Sequence, residues 1–358
     1  MKKTILYLSL AALVLAGCAK APKKGTNEDA KRYFEAWKQV YYPNATRTPL
    51  GAYILEETPG TGASAGTTTA NPFVRINYTV RSLDGTVQIS TSEAMAKQLG
   101  NYEKNEGKNP YYGPVVLARG SAGQAAGVEE SLAAMSVGGS RTVAIPGWLL
   151  GMDSSSGVPI LYSTAEDYEQ KVSGSTPLIY ELELMDVIPD IKQWQIDSVG
   201  RYISAQFPKK SVTDSIKLGF YYFMTDHPST PDKFKPDTTI YINYIGRRLD
   251  GTVFDTSIAD TAKYYGIYSA SRTYGPCAIN WYTTDETYAD ITMTLPNATS
   301  GSSVISGFSF ALDQMHPHEK GSAIFISNWG YGATGSSPAI PSYSPLRFDF
   351  EIVDKPAS

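Results

Sequence analysis

The chain is written twice, and that repeat limits what it can fold into. "VRINYTVRSLDGTV" (74–87) aligns with "IYINYIGRRLDGTV" (240–253) at an offset of 166. "PLIYELELMDV" (177–187) aligns with "PLRFDFEIVDK" (345–355) at an offset of 168. Between these anchors Met135 pairs with Met315 at an offset of 180. The second copy has therefore gained about 14 residues ahead of the Met, and the first about 12 after it. Matching ends with unequal middles mark loop insertions on a shared scaffold, since loops tolerate added residues and paired strands do not. The 358 residues are enough to bury two cores. The units are read as 28–190 and 191–358.

Each unit opens with a helix. In EDAKRYFEAWKQVYY (28–42), Tyr33, Phe34, Trp37, Val40 and Tyr41 recur at helical spacing and predict one apolar face. In DIKQWQIDSVGRYISAQF (190–207), Asp190 is the expected N-cap, and Ile191, Trp194, Val199 and Tyr202 line up less cleanly. Strand signals follow. "IYINYI" (240–245) alternates with Ile240, Ile242 and Tyr244 on one face. Asp250-Gly251 then predicts a tight hairpin turn, because glycine reaches positive φ without steric cost. "LDGTV" stands in both copies as turn chemistry that sets register. After it the copies part: Phe254-Asp255 in the second faces Gln88-Ile89 in the first. A short helix sits inside each unit, with Val304, Phe308, Leu312 and Met315 on one face, or Val128, Leu132 and Met135. Closing strands at 322–327 and 346–353, against 141–146 and 178–185, complete an α+β arrangement.

The ends and the composition bear on location and exclude several chemistries. MKKTILYLSLAALVLAGC places Lys2 and Lys3 before an apolar run too short to span a bilayer. Its close, Leu15-Ala16-Gly17-Cys18, resembles the bacterial lipoprotein processing box. That resemblance implies a signal peptide over 1–17, a lipid-bearing Cys18 and a polar tether over 18–27. The expected location is the bacterial cell envelope, lipid-anchored, facing the periplasm or on the outer membrane. Cys277 is then the one remaining cysteine, so no internal disulfide is available. A net charge of −4 leaves no electrostatic footprint for nucleic acid. His316, His318 and Glu319 suggest a metal site only weakly, because further ligands are not evident, and they read instead as a solvated loop tip. Cys277 is expected to be buried and unreactive. No cofactor or metal is expected.

Four motifs of the second unit stand in order: "YIGRRLDGTVFDTS", "VISGFSFALDQM", "YGATG" (331–335) and "IPSYSPLRFDFEI" (340–352). Together they resemble the FKBP-type peptidyl-prolyl cis-trans isomerases over about residues 240–353. The resemblance implies two tandem domains, each an antiparallel sheet wrapped around a short helix, and a pocket for a proline ring. The implied pocket is Tyr244, Phe254, Asp255, Val304, Ile305, Phe308, Tyr331, Ile340 and Phe348. Phe308 stands where the family usually has Trp at the pocket floor. The family arginine that follows the Phe-Asp segment has no evident match in 258–290, which leaves Asp255 without its expected partner. In the first unit Gln88, Ile89, Val128, Leu150 and Tyr180 occupy pocket positions and only Tyr78 is retained, so that unit is expected to fold without isomerising. The implied partners are proline-containing polypeptides and, through Cys18, a membrane. A non-catalytic chaperone or binding module is the other reading. A scaffold that dimerises through its leading helices is a third, and the oligomeric state stays open.

Overall fold

The computed structural model describes residues 27–102, 109–120, 123–174, 176–210, 215–281 and 291–357. The expected signal peptide, Cys18 and nearly all of the expected tether lie outside the described residues. Two antiparallel sheets carry the described chain. The first has seven strands, with Phe73–Ser82 and Leu178–Ile188 paired at its centre and Ser140–Ile145 and Tyr53–Thr58 beyond them. The second has nine, with Thr238–Arg248 paired to Leu346–Val353, followed by Lys320–Phe325 and Phe220–Asp226.

The repeat is kept down to the register. Tyr78 faces Leu182 as Tyr244 faces Phe350, and Val80 faces Tyr180 as Gly246 faces Phe348. The two "LDGTV" turns are also alike. Gly85 and Gly251 have φ of +89° and +87°, which a glycine takes without strain. Asp84 and Asp250 each accept a bond from the main-chain N–H two residues on, at 2.9 and 2.8 Å. The turn is thus closed by its own side chain in both units.

One face of the second sheet, with Ile242, Tyr244, Phe348 and Phe350, packs on the helix Ser306–Gln314. That helix starts at Ser306, so Val304 and Ile305 lie in its extended lead-in rather than on its face. Gly307 is needed there: a Cβ would sit 2.7 Å from the Phe325 ring and 2.8 Å from the Trp329 carbonyl. Gly127 holds the same place in the first unit, where a Cβ would meet Ile145 at 2.4 Å. Close contact between helix and sheet is therefore a scaffold demand on both copies.

The leading helices pack elsewhere. Ile191–Gln206 sets Val199 and Ile203 against Tyr221, Phe223 and Ile324, and Asp190 caps it through the N–H groups of Lys192 and Gln193. Glu28–Tyr41 buries Phe34 and Trp37 against Tyr53, Ala144 and Ile179. The broad apolar face expected of that helix is narrower than its spacing predicted. Tyr33, Val40 and Tyr41 are 61%, 72% and 66% exposed, because only a thin stripe touches the sheet.

The His316–Glu319 segment also differs from expectation. Glu319 is fully buried rather than solvated. It accepts bonds from the Tyr222 hydroxyl and the His316 main-chain N–H, and faces His316 Nδ1 at 2.8 Å. Gly321 makes this possible, since any Cβ there would strike the Tyr222 side chain. The carboxylate is a buried anchor between strand and turn, and no cluster able to hold a metal occurs among the described residues.

Candidate functional site

The hairpin Thr238–Arg248 and Val253–Thr256 builds the polar end of the site. Thr256 Oγ1 donates to the Tyr244 carbonyl at 2.8 Å, and the Tyr244 N–H donates to Ser257 Oγ at 3.0 Å. These bonds fix the strand so that the Tyr244 hydroxyl donates to Asp255 Oδ2 at 2.6 Å. The first unit keeps the scaffold half of this arrangement, with the Tyr78 N–H donating to Thr91 Oγ1 at 3.0 Å. It lacks the acid: Gln88 and Ile89 stand in its place and are exposed.

Arg272 supplies the partner that Asp255 was expected to lack. One guanidinium nitrogen pairs with Asp255 Oδ1, and the other donates to the Tyr244 hydroxyl at 3.1 Å. Motif order could not place it, because it comes from the altered loop. Its signal was only that 258–290 contains two basic residues, Lys263 and Arg272. Burial, then the charge of Asp255, pushes the Tyr244 hydroxyl well above the ordinary phenol range, with Arg272 opposing. Tyr244 therefore stays a neutral donor.

Around this triad the rings meet edge to face, the arrangement their quadrupoles favour. Phe308 lies 5.6 Å from Tyr244 and 5.4 Å from Phe348, and Phe254 lies 5.6 Å from Phe348. Phe308, Phe348, Tyr244 and Ile340 are buried, whereas Phe254, Asp255, Val304, Ile305 and Tyr331 are half-buried. The first set forms a floor and the second a rim. Burial, then the charge of Asp255, raises the Tyr331 hydroxyl as well, and that hydroxyl donates no hydrogen bond among the described residues. All nine residues picked from the sequence thus lie on one aromatic cluster or its rim.

Gly246 is a tenth member that the motif reading passed over. A Cβ there would lie 2.7 Å from Phe254 Cζ and 3.0 Å from Phe348 Cε1, so Phe254 lies across the strand only because residue 246 has no side chain. The first unit has Val80 at this register, paired with Ile89, and Gln88 stands at the sequence position of Phe254. The opposite change at the other rim is equally clear. Ile145 pairs with Leu178 as Phe325 pairs with Leu346, so Tyr331 corresponds to Gly151, one residue on from Leu150. A Cβ at Gly151 would meet Val172 Cγ1 at 2.4 Å, which leaves no room for a tyrosine.

Residues 285–353 match the family model for FKBP-type peptidyl-prolyl cis-trans isomerase. The second unit is FKBP-like. Six of the nine residues picked from the sequence, Val304 to Phe348, fall inside that match, and folding brings Tyr244, Phe254 and Asp255 to them. The macrophage infectivity potentiator of Trypanosoma cruzi is 27% identical over 157 residues, 43% of this chain and 62% of the relative. The chain therefore spans less than two thirds of that relative's length. Among solved structures, the three FKBP domains of a wheat protein are 16% identical, covering 85% of this chain and 94% of that one, with a TM-score of 0.29. A peptidyl-prolyl cis-trans isomerase of Pseudomonas syringae pv. tomato is 19% identical, covering 46% and 94%, with a TM-score of 0.27.

Cys277 is fully buried on the strand beside Ile242, and burial pushes its thiol up to about 11. Cys277, Tyr244 and Tyr331 all hold their protons more tightly folded than unfolded. Their contribution to stability is complete below the unfolded values, about 8.5 for a thiol and about 10 for a phenol. It is lost as pH rises through the raised folded values. The urea midpoint is expected to fall between pH 8.5 and 11; a flat midpoint over that range would contradict the burial described.

Proposed function

We propose that the second unit catalyses cis–trans isomerisation of X-Pro bonds, with the chain tethered by lipid at Cys18 and acting on proline-containing segments of exported proteins. The observation that carries this reading is the Tyr244–Asp255–Arg272 triad set into the Phe254–Phe308–Phe348 cluster. Amide resonance raises a barrier of about 18–20 kcal/mol to rotation. No nucleophile is needed to lower it. Resonance is weakest when the amide carbonyl is out of water and the amide is twisted, so an apolar floor that accepts the proline ring favours the transition state. Phe308 and Phe348 provide that floor. The half-buried Tyr331 hydroxyl, protonated and uncommitted, is placed to donate to a peptide carbonyl. The triad keeps Tyr244 oriented and neutral. In the first unit Val80, Gln88, Ile89 and the Val172 contact at Gly151 occupy the corresponding places, and that unit is assigned no catalysis.

A proline-peptide isomerisation assay on the whole chain tests this. Tyr331→Phe is expected to lower kcat/KM by about three- to tenfold, the worth of one hydrogen bond. Wild-type catalysis indifferent to Tyr331→Phe would refute the role given to this residue. Absence of catalysis with peptide binding retained would leave a binding module. Cys18→Ser is expected to move the protein from the membrane fraction to the soluble one, and retention on the membrane would overturn the anchor.

A further inference from the structure

The first unit touches the second at the back of its pocket. Residues 109–114 lie on the turn of the second hairpin and on the 338–340 segment. Asn109 is buried, and its side-chain amide donates to the Val253 carbonyl at 2.8 Å, one residue before Phe254. The Tyr111 N–H donates to the Pro338 carbonyl at 2.8 Å, two residues before Ile340. Arg248 joins the two contacts. Its Nη1 donates to the Ala339 carbonyl at 2.6 Å and to the Asn109 carbonyl at 3.3 Å, while its guanidinium lies 5.0 Å from the Tyr111 ring centre. The guanidinium is buried and is charge-compensated by Asp250 at 3.1 Å. The loop is itself braced, with the Tyr111 hydroxyl donating to the Pro114 carbonyl at 2.8 Å.

The held segment needs such support. Residues 338–343 form no strand, and local main-chain bonds such as Ser336 to Ile340 and Tyr343 to Gly332 are what close it. Two rim and wall residues, Phe254 and Ile340, thus take part of their position from outside their own unit. The first copy has Ser82 where the second has Arg248, so the connecting side chain belongs to the second copy alone.

We propose that the first unit serves as a positioning element for the second, with Asn109 holding Val253, the Tyr111 N–H holding Pro338 and Arg248 linking the two contacts, so that together they set the Phe254 and Ile340 walls. Its catalytic arm rests on the isomerase reading; its structural arm does not. In the full chain, Asn109→Ala removes the donor to Val253 and leaves the Asn109 carbonyl in place. It is expected to raise KM for a proline peptide by about three- to tenfold with kcat nearly unchanged, the span of one neutral hydrogen bond. Amide exchange over 336–345 is expected to rise with it. Arg248→Ala should do both more strongly, and Arg248→Lys should recover little, because an ammonium cannot combine the Nη1 bonds to Ala339 and Asn109 with the Nε bond to Asp250 and the planar contact on Tyr111. Unchanged exchange over 336–345 in Asn109→Ala and Arg248→Ala overturns the brace whatever the activity. Raised exchange with unchanged KM overturns the positioning role and leaves a purely structural contact. A wild-type chain without catalysis refutes the isomerase reading, and the exchange data then decide the brace alone.

Discussion

Asp255→Ala is expected to lower kcat/KM for a proline peptide by about ten- to hundredfold. The substitution removes the acceptor of the Tyr244 hydroxyl and the partner of Arg272 together. Hydrogen bonds to a charged group contribute about 1.5–3 kcal/mol, and about 1.4 kcal/mol is a factor of ten in rate. Full ion-pair worth is not assigned, because the Asp255 and Arg272 side chains are 36% and 27% exposed and water screens them. What remains after the substitution is a half-buried guanidinium with no counter-charge beside the aromatic cluster. Stability is expected to fall by about 1–2 kcal/mol, less than the loss in rate would need if unfolding were the cause. Arg272→Gln combined with Asp255→Ala should cost less than the sum of the two, since the pair acts as one unit. Additive losses would separate Arg272 from the site, and full activity in Asp255→Ala would remove the triad from the mechanism.

Gly246→Val should weaken catalysis strongly while leaving the unit folded. The added Cβ would stand 2.7 Å from the Phe254 ring, so the ring has to leave the strand and the rim loses its wall. Overpacking of this kind costs about 1–3 kcal/mol. The strand itself accepts valine, as Val80 shows at the same register in the first sheet. The loss in kcat/KM is expected to be at least about tenfold, on the scale of an aromatic wall removed from a pocket. If the effect passes through Phe254, Gly246→Val in a Phe254→Ala background should cost little more. A full additional loss there would show that residue 246 acts by another route.

The parts readable in advance were those that depend on local or repeated chemistry. The Asp-Gly turns close on their own carboxylates, so they form alike in both copies. Alternation over 240–245 and 346–353 set the buried faces, because side chains in a strand can only alternate. The nine residues that gather on the aromatic cluster and its rim came from motif order. Arg272 did not, because a lone arginine in an altered loop has no local signature, and its role exists only once the loop folds back on Asp255. The exposed Tyr33, Val40 and Tyr41 and the buried Glu319 went against pattern for a related reason. Periodicity states which residues share a face, while the neighbour's shape decides how much of that face is covered.

By itself the sequence determined a duplicated α+β scaffold and which copy carries the FKBP-like motifs. It did so because register, turn and core patterning are short-range demands that both copies must meet. Only the tertiary structure decided that Arg272 completes the triad, that Gly246 exists to seat Phe254, and that Asn109 and Arg248 tie the first unit to the second unit's pocket. Each of these is a contact between residues distant along the chain, and its consequence is set by a few ångströms of space that no spacing in the sequence encodes.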